Sequence, residues 1–237
     1  MLDNEIPSGA DFDAGRVTRS DLAEAFRNRL YDYQLYPTAG VAQMSFFAQA
    51  KGAGITTALG SVVGSAKTDH DTNLEIGNTL PSGKQFLIES IEVLFLPGSV
   101  ATANTYTIAA IALFAGVAAA ALAAQLNDVN SFYQSGLLEL NILSKNYLRE
   151  APLLAFPPKA HLDLSAAIAS NSATTGEVAA VFGKGAGRPY YLTPRLTLQP
   201  AINFEVLLKW PAPVATPSGF NARVGVLLDG FFGRASQ

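Results

Sequence analysis

The side chains in this 237-residue chain that could do chemistry are few and poorly spaced for it. His70 and His161 are its two histidines, and neither belongs to a His-x-His or His-Glu-x-x-His spacing that would put two ligands on one metal. Asp69-His70-Asp71-Thr72-Asn73-Leu74-Glu75 presents oxygen ligands at alternate positions, as the start of a calcium loop does. Such a loop needs Gly where Leu74 stands and a bidentate Glu where Leu80 stands, so the segment reads as a solvated loop. Gly183-Lys184-Gly185-Ala186-Gly187 is glycine-rich but runs into Arg188-Pro189. It lacks the Lys-Ser/Thr pair and the following helix that cradle a phosphate, and it reads as a loop tip.

A glycosidase needs paired carboxylates. Glu139, Asp163 and Glu205 all fall on odd positions of alternating segments, hence on outward strand faces, where carboxylates are ordinary. No Gly-x-Ser-x-Gly elbow occurs, and the absence of cysteine excludes disulfides, thiol catalysis and thiolate metal sites. An enzyme is therefore not expected, and no cofactor is implied. Tyr190-Tyr191, Phe231-Phe232 and Trp210 are the candidates for a sugar-binding platform, although strand ends and interfaces use such aromatics more often.

The elements that carry these residues announce themselves by a period of two. Ala42, Met44, Phe46 and Ala48 alternate with mostly polar neighbours, as do Leu138, Leu140, Ile142 and Leu162, Leu164, Ala166, Ile168. The last quarter repeats the pattern with Leu192, Leu196, Leu198; then Ile202, Phe204, Val206, Leu208, Trp210; then Phe220, Ala222, Val224, Val226, Leu228. This is the signature of half-buried strands, and sheets with one dry face must bury it on one another. Eight principal strands are expected: 41–49, 84–96, 137–143, 146–153, 161–168, 191–199, 202–210 and 221–232, with 177–182 as a ninth. The fold class is all-β, a single eight-stranded antiparallel jelly-roll sandwich.

Ahead of it, residues 1–36 read as an arm and a short amphipathic helix. Thr18 and Asp21 resemble a capping box, and Leu22, Phe26, Leu30 and Tyr33 make a stripe at spacings of four, four and three. These four residues are the candidate subunit interface, the alternative being a helix packed on its own sandwich. Residues 37–237 form the sandwich domain, with loop excursions at 51–80, 98–135 and 170–189. Lys51 to Asn78 reads as a long surface connection. The segment Ile108 to Ala124 lies in a stretch without charge from Val93 through Asn127. It is short and anchorless for a membrane span, and reads as a strand followed by a buried Ala-rich helix over 116–126, with a turn at 128–136.

Charged residues make up 15% of the chain against the roughly 25% of an average domain, which favours burial of the surface against other subunits. The net charge of −3 gives no global pull on nucleic acid, and no specific nucleic-acid binding is expected. The acidic start, Met1-Leu2-Asp3-Asn4-Glu5, lacks the apolar core of a signal peptide, so synthesis and assembly in a cytoplasm are expected.

The acidic arm, the lead-in Thr72-Asn73-Leu74-Glu75 to Leu80-Pro81, the strand Phe86 to Phe95 and the closing Arg223-Val-Gly-Val-Leu-Leu-Asp-Gly230 together resemble jelly-roll capsid proteins of small icosahedral bacteriophages. The resemblance is one of layout over most of the chain. It implies a virion protein that self-associates into rings and shells beside other virion proteins, with the terminal arm tying neighbours together. Related phages often enclose a lipid layer, which the Ala-rich segment would face. The alternative reading is a carbohydrate-binding sandwich serving as a receptor-binding or appendage module.

Overall fold

The computed structural model of the chain describes residues 22–53, 66–97, 99–102, 105–108, 119–158, 166–170, 178–182 and 188–235. Eight strands form two antiparallel four-stranded sheets. β1 (Leu22–Tyr36), β3 (Lys84–Leu96), β10 (Tyr190–Leu198) and β12 (Ala222–Ala235) make the first, in the order β1-β12-β3-β10. β2 (Gln43–Phe46), β6 (Leu137–Ile142), β7 (Lys145–Pro152) and β11 (Phe204–Lys209) make the second, in the order β2-β11-β6-β7. Two hairpins, β4 (Ser99–Thr102) with β5 (Thr105–Ile108) and β8 (Ala166–Ser170) with β9 (Val178–Phe182), are excursions from this frame. One α-helix, α1 (Ala119–Ser135), occurs among the described residues and touches β8 and β9.

The inner faces meet in a single apolar core. Even positions of β11 (Phe204, Val206, Leu208), β6 (Leu138, Leu140, Ile142) and β12 (Ala222, Val224, Val226, Leu228) all enter it, as the two-residue period requires. At its broad end Tyr36, Phe95, Phe132 and Trp210 pack ring against ring, with centroids 4.4 to 5.8 Å apart. Trp210 Nε1 donates to the Phe132 carbonyl at 3.1 Å, which satisfies the one polar atom of the indole and joins α1 to the residue that follows β11.

The imperfect alternation of β3 has a local cause. Phe86 and Ile88 point inward on even positions, then Ile91, Val93 and Phe95 on odd ones. Between them the register with β12 slips: Ser90 faces Asp229 and Ile88 faces Gly230, so Glu89 is an extra residue on β3. This bulge flips the parity and keeps both halves of the strand on the core.

Several expectations are corrected. The helix over Leu22, Phe26, Leu30 and Tyr33 is strand β1, paired with β12 along its length, while Thr18 to Asp21 lie outside the described residues. A spacing of four fits one face of a helix and one face of a strand alike, and the long apolar partner β12 decides for the strand. The boundary drawn at residue 36 therefore falls after the first strand of the sandwich. The turn expected at 128–136 is the second half of α1. The first expected strand shrinks to Gln43–Phe46, because Phe47 takes a φ of 66°. The connection from Lys51 to Asn78 is no mere surface loop, since Lys67, Asp71, Thr72 and Leu74 are buried. Residues 161–165 of another expected strand, and 109–118 of the Ala-rich segment, lie outside the described residues.

Candidate functional site

The four residues expected at a subunit contact all lie on β1. Leu22 stands opposite Ala235. Phe26 is half-buried, its ring 5.9 Å from that of Phe232 and the Arg234 guanidinium 5.6 Å from its centre. Leu30 is 1% exposed and belongs to the core. Tyr33 projects from the opposite face of the strand, covers Gly225 and carries the Arg223 guanidinium 4.1 Å above its ring. Leu30 and Tyr33 are thus occupied within the protomer, while Phe26 keeps a partly open face.

The calcium-like loop disperses its oxygens. Asp69 pairs with Lys51 at 2.6 Å, and Glu75 with Lys84 at 2.5 Å. Asp71 accepts from the Thr68 N–H and hydroxyl, both at 3.0 Å, and pairs with Arg223 at 3.3 Å. Asn73 donates to the Arg29 carbonyl and accepts from the Tyr31 N–H. The segment instead seals the outer edge of β1, where Tyr33 N–H donates to the Asp71 carbonyl at 2.7 Å and Thr72 Oγ1 to the Tyr31 carbonyl at 3.0 Å. His70 is exposed beside it, while His161, Asp163 and Gly183 to Gly187 lie outside the described residues. Among the described residues no three His, Asp or Glu side chains gather as metal ligands would.

The outer face of the first sheet carries an ion ladder. Arg27 and Arg29 project from β1, Asp229 from β12, Glu89 and Glu92 from β3, and Arg195 from β10. Asp229 accepts from Arg27 at 2.8 Å and lies 3.6 Å from Arg29; Arg195 reaches Glu89 at 2.9 Å, and Arg29 lies 4.0 Å from Glu92. The hydrogen bond to Asp229 raises the Arg27 pKa above its ordinary value. The carboxylates sit beneath half-exposed guanidinium groups, so the ladder ties four strands side by side with its charges balanced.

On the second sheet Glu205, Asn141, Asn78, Asn203, Leu143 and Phe204 line a cleft of about 250 Å³. Glu205 accepts from Asn141 at 3.4 Å and from Ser45 at 3.3 Å. Glu139, expected in solvent, is 6% exposed and paired with Lys209 at 2.7 Å. Of the platform aromatics, Trp210 and Phe231 are buried, and Tyr191 alone is open, at 57%. The other large exposed apolar side chains include Leu143, Tyr147 and Leu154, on or beside β7. β7 and β10 are edge strands of their sheets among the described residues, so these side chains and Tyr191 lie on or beside edge strands.

One pair escaped the sequence reading. Lys67 Nζ donates to Asp32 Oδ1 with both side chains sealed from solvent, and Asp32 Oδ2 accepts the Phe47 N–H at 2.7 Å. Burial raises the Asp32 pKa, against the opposing effect of Lys67. A strand reading of 22–36 would have exposed the signal, because Asp32 falls on the inward face between Leu30 and Tyr36.

No protein-family model matches the chain, and neither the curated proteins nor the solved structures include one significantly similar to it.

Proposed function

We propose that the chain is a jelly-roll capsid subunit, a virion structural protein that works by repeated contact with copies of itself. The observation that carries this reading is the nesting of the strand pairs. Counting the eight sandwich strands in chain order, the first pairs with the eighth (β1 and β12), the second with the seventh (β2 and β11), the third with the sixth (β3 and β10) and the fourth with the fifth (β6 and β7). A long hairpin wrapped into two sheets produces this order, and the order supports reading the sandwich as a jelly roll, an arrangement used by many shell-forming proteins, lectins and cupins. Cupin chemistry lacks support, since no ligand cluster occupies the described core. Shell building is supported by the low charge, the apolar side chains at the edges of β7 and β10, and the apolar excursions around α1.

Sedimentation and negative-stain microscopy of the purified chain test the reading: capsomers or particles are expected, and a clean monomer at high concentration defeats it. Deleting residues 1–21 examines the arm without removing β1. The fold should persist while assembly weakens. In the same reading the protein resides in the virion after assembly in a host cytoplasm, beside other virion proteins and an internal lipid layer; no helix among the described residues is long and apolar enough to cross a membrane. Carbohydrate binding, the second reading, is favoured by the amide-lined cleft at Glu205, and glycan-array binding lost in Asn203→Ala would support it.

A further inference from the structure

The Asp32 and Lys67 side chains meet where a solvated ion pair has no place. Their relative exposures are 0% and 1%, and Leu30, on the same face of β1, and Phe47, whose N–H reaches Asp32, are buried apolar residues. Lys67 is held there by its backbone, with its N–H donating to the Ala53 carbonyl at 2.6 Å and its carbonyl accepting from Gly52 at 2.8 Å. The Asp32 carboxyl is equally fixed. Phe47 N–H donates to Oδ2, while the neighbouring Gln34 side-chain amide donates to the Ser45 carbonyl and ties β1 to β2 beside the pair. An amine and a carboxyl group locked in contact and sealed from solvent, with the Phe47 N–H on the second carboxyl oxygen, form the arrangement required for condensation.

We propose that Lys67 and Asp32 join in an intramolecular isopeptide bond, an amide between Lys67 Nζ and Asp32 Cγ. The balance closes within the pair. One ammonium proton crosses to Oδ1, leaving a neutral amine as the nucleophile and a neutral carboxylic acid as the acceptor. Nζ attacks Cγ as charge develops on Oδ2, where the Phe47 N–H receives it. The C–N bond forms, the Cγ–Oδ1 bond breaks, and Oδ1 departs as water with two of the three ammonium protons. No oxidant or co-reactant is needed. The product is a covalent staple between β1 and the segment that seals its edge, independent of whether the chain builds a shell.

Mass spectrometry of the purified full-length chain decides it. The expected result is an intact mass one water below that of the sequence. A tryptic digest should miss the cut after Lys67 and yield peptide 30–51 joined to peptide 52–84. Asp32→Ala and Lys67→Met should each remove the water loss and the branched peptide. A wild-type chain of full sequence mass, cut normally after Lys67, overturns the proposal. So does a water loss that maps elsewhere, for instance to a succinimide at Asp229-Gly230. If the variants fail to fold, the wild-type peptide map still distinguishes a bonded pair from a free one.

Discussion

A β-carbon placed on Gly230 would stand 1.8 Å from the carbonyl oxygen of Leu87, so the backbones of β12 and β3 meet at the Glu89 bulge only because residue 230 has no side chain. The obstructing atom is backbone in a central strand pair and cannot swing aside. Gly230→Ala should therefore cost about 1–3 kcal/mol or more in denaturant unfolding, and should loosen the Arg195–Glu89 pair on the bulge. Gly219, which has open space around it and a φ of 76°, provides the contrast. Its Ala variant bears only the cost of the left-handed backbone, about 1–2 kcal/mol.

Ser90 lies beside Asp229 and Tyr191 in the register of the first sheet, is 1% exposed, and its hydroxyl has no hydrogen-bond partner among the described residues. A buried donor left unsatisfied costs about 1–3 kcal/mol. Ser90→Ala should accordingly stabilise the protein, by roughly 1 kcal/mol, read as a rise in the denaturation midpoint with unchanged slope.

Burial pushes the Tyr36 hydroxyl up to about 12 from an ordinary value of 10. The folded chain therefore keeps this proton where the unfolded chain has lost it. The stability it contributes is complete below about pH 10 and is lost as pH climbs through about 12. Tyr36→Phe gives up the hydrogen bond to the Val214 carbonyl at 2.5 Å, and should lower stability at neutral pH while flattening the alkaline limb of the unfolding profile.

Asp128, on α1, accepts the Ser218 N–H at 2.8 Å and the Ser218 hydroxyl, tying the helix to the loop between β11 and β12. Asp128→Ala should cost about 1–3 kcal/mol and increase hydrogen exchange in residues 216–220. Burial outweighs these hydrogen bonds and raises the carboxyl above its ordinary value. Stability contributed by the protonated form should then be present at acid pH and decline as pH rises through the folded value, and Asp128→Asn should remove that slope.

The strands were legible from the period of two and from the turn residues that bound it. β6, β11 and β12 lie within two or three residues of their expected limits, where polar and apolar side chains alternate, and β3, β7 and β10 match within one residue despite their register shifts, because turn residues and prolines mark where they end. β9 also falls where a ninth strand was expected. β1 was misread because Leu22, Phe26 and Leu30 satisfy both periods, while Asp32 and Gln34, polar residues on the inner face, blur the alternation. The carboxylates failed as guides for a related reason. Asp71, Glu92, Asp229 and Glu139 are buried by partners distant in sequence, Arg223, Arg29, Arg27 and Lys209.

By itself the sequence determined an all-β chain, low in charge and free of thiols, because strand periodicity and composition are local properties of the residues. The tertiary structure alone decided that residues 22–36 are a strand, that β3 changes face at Glu89, and that the strands nest first with last. Each depends on which segment lies alongside, and pairing energy is shared between chain positions that no local pattern connects.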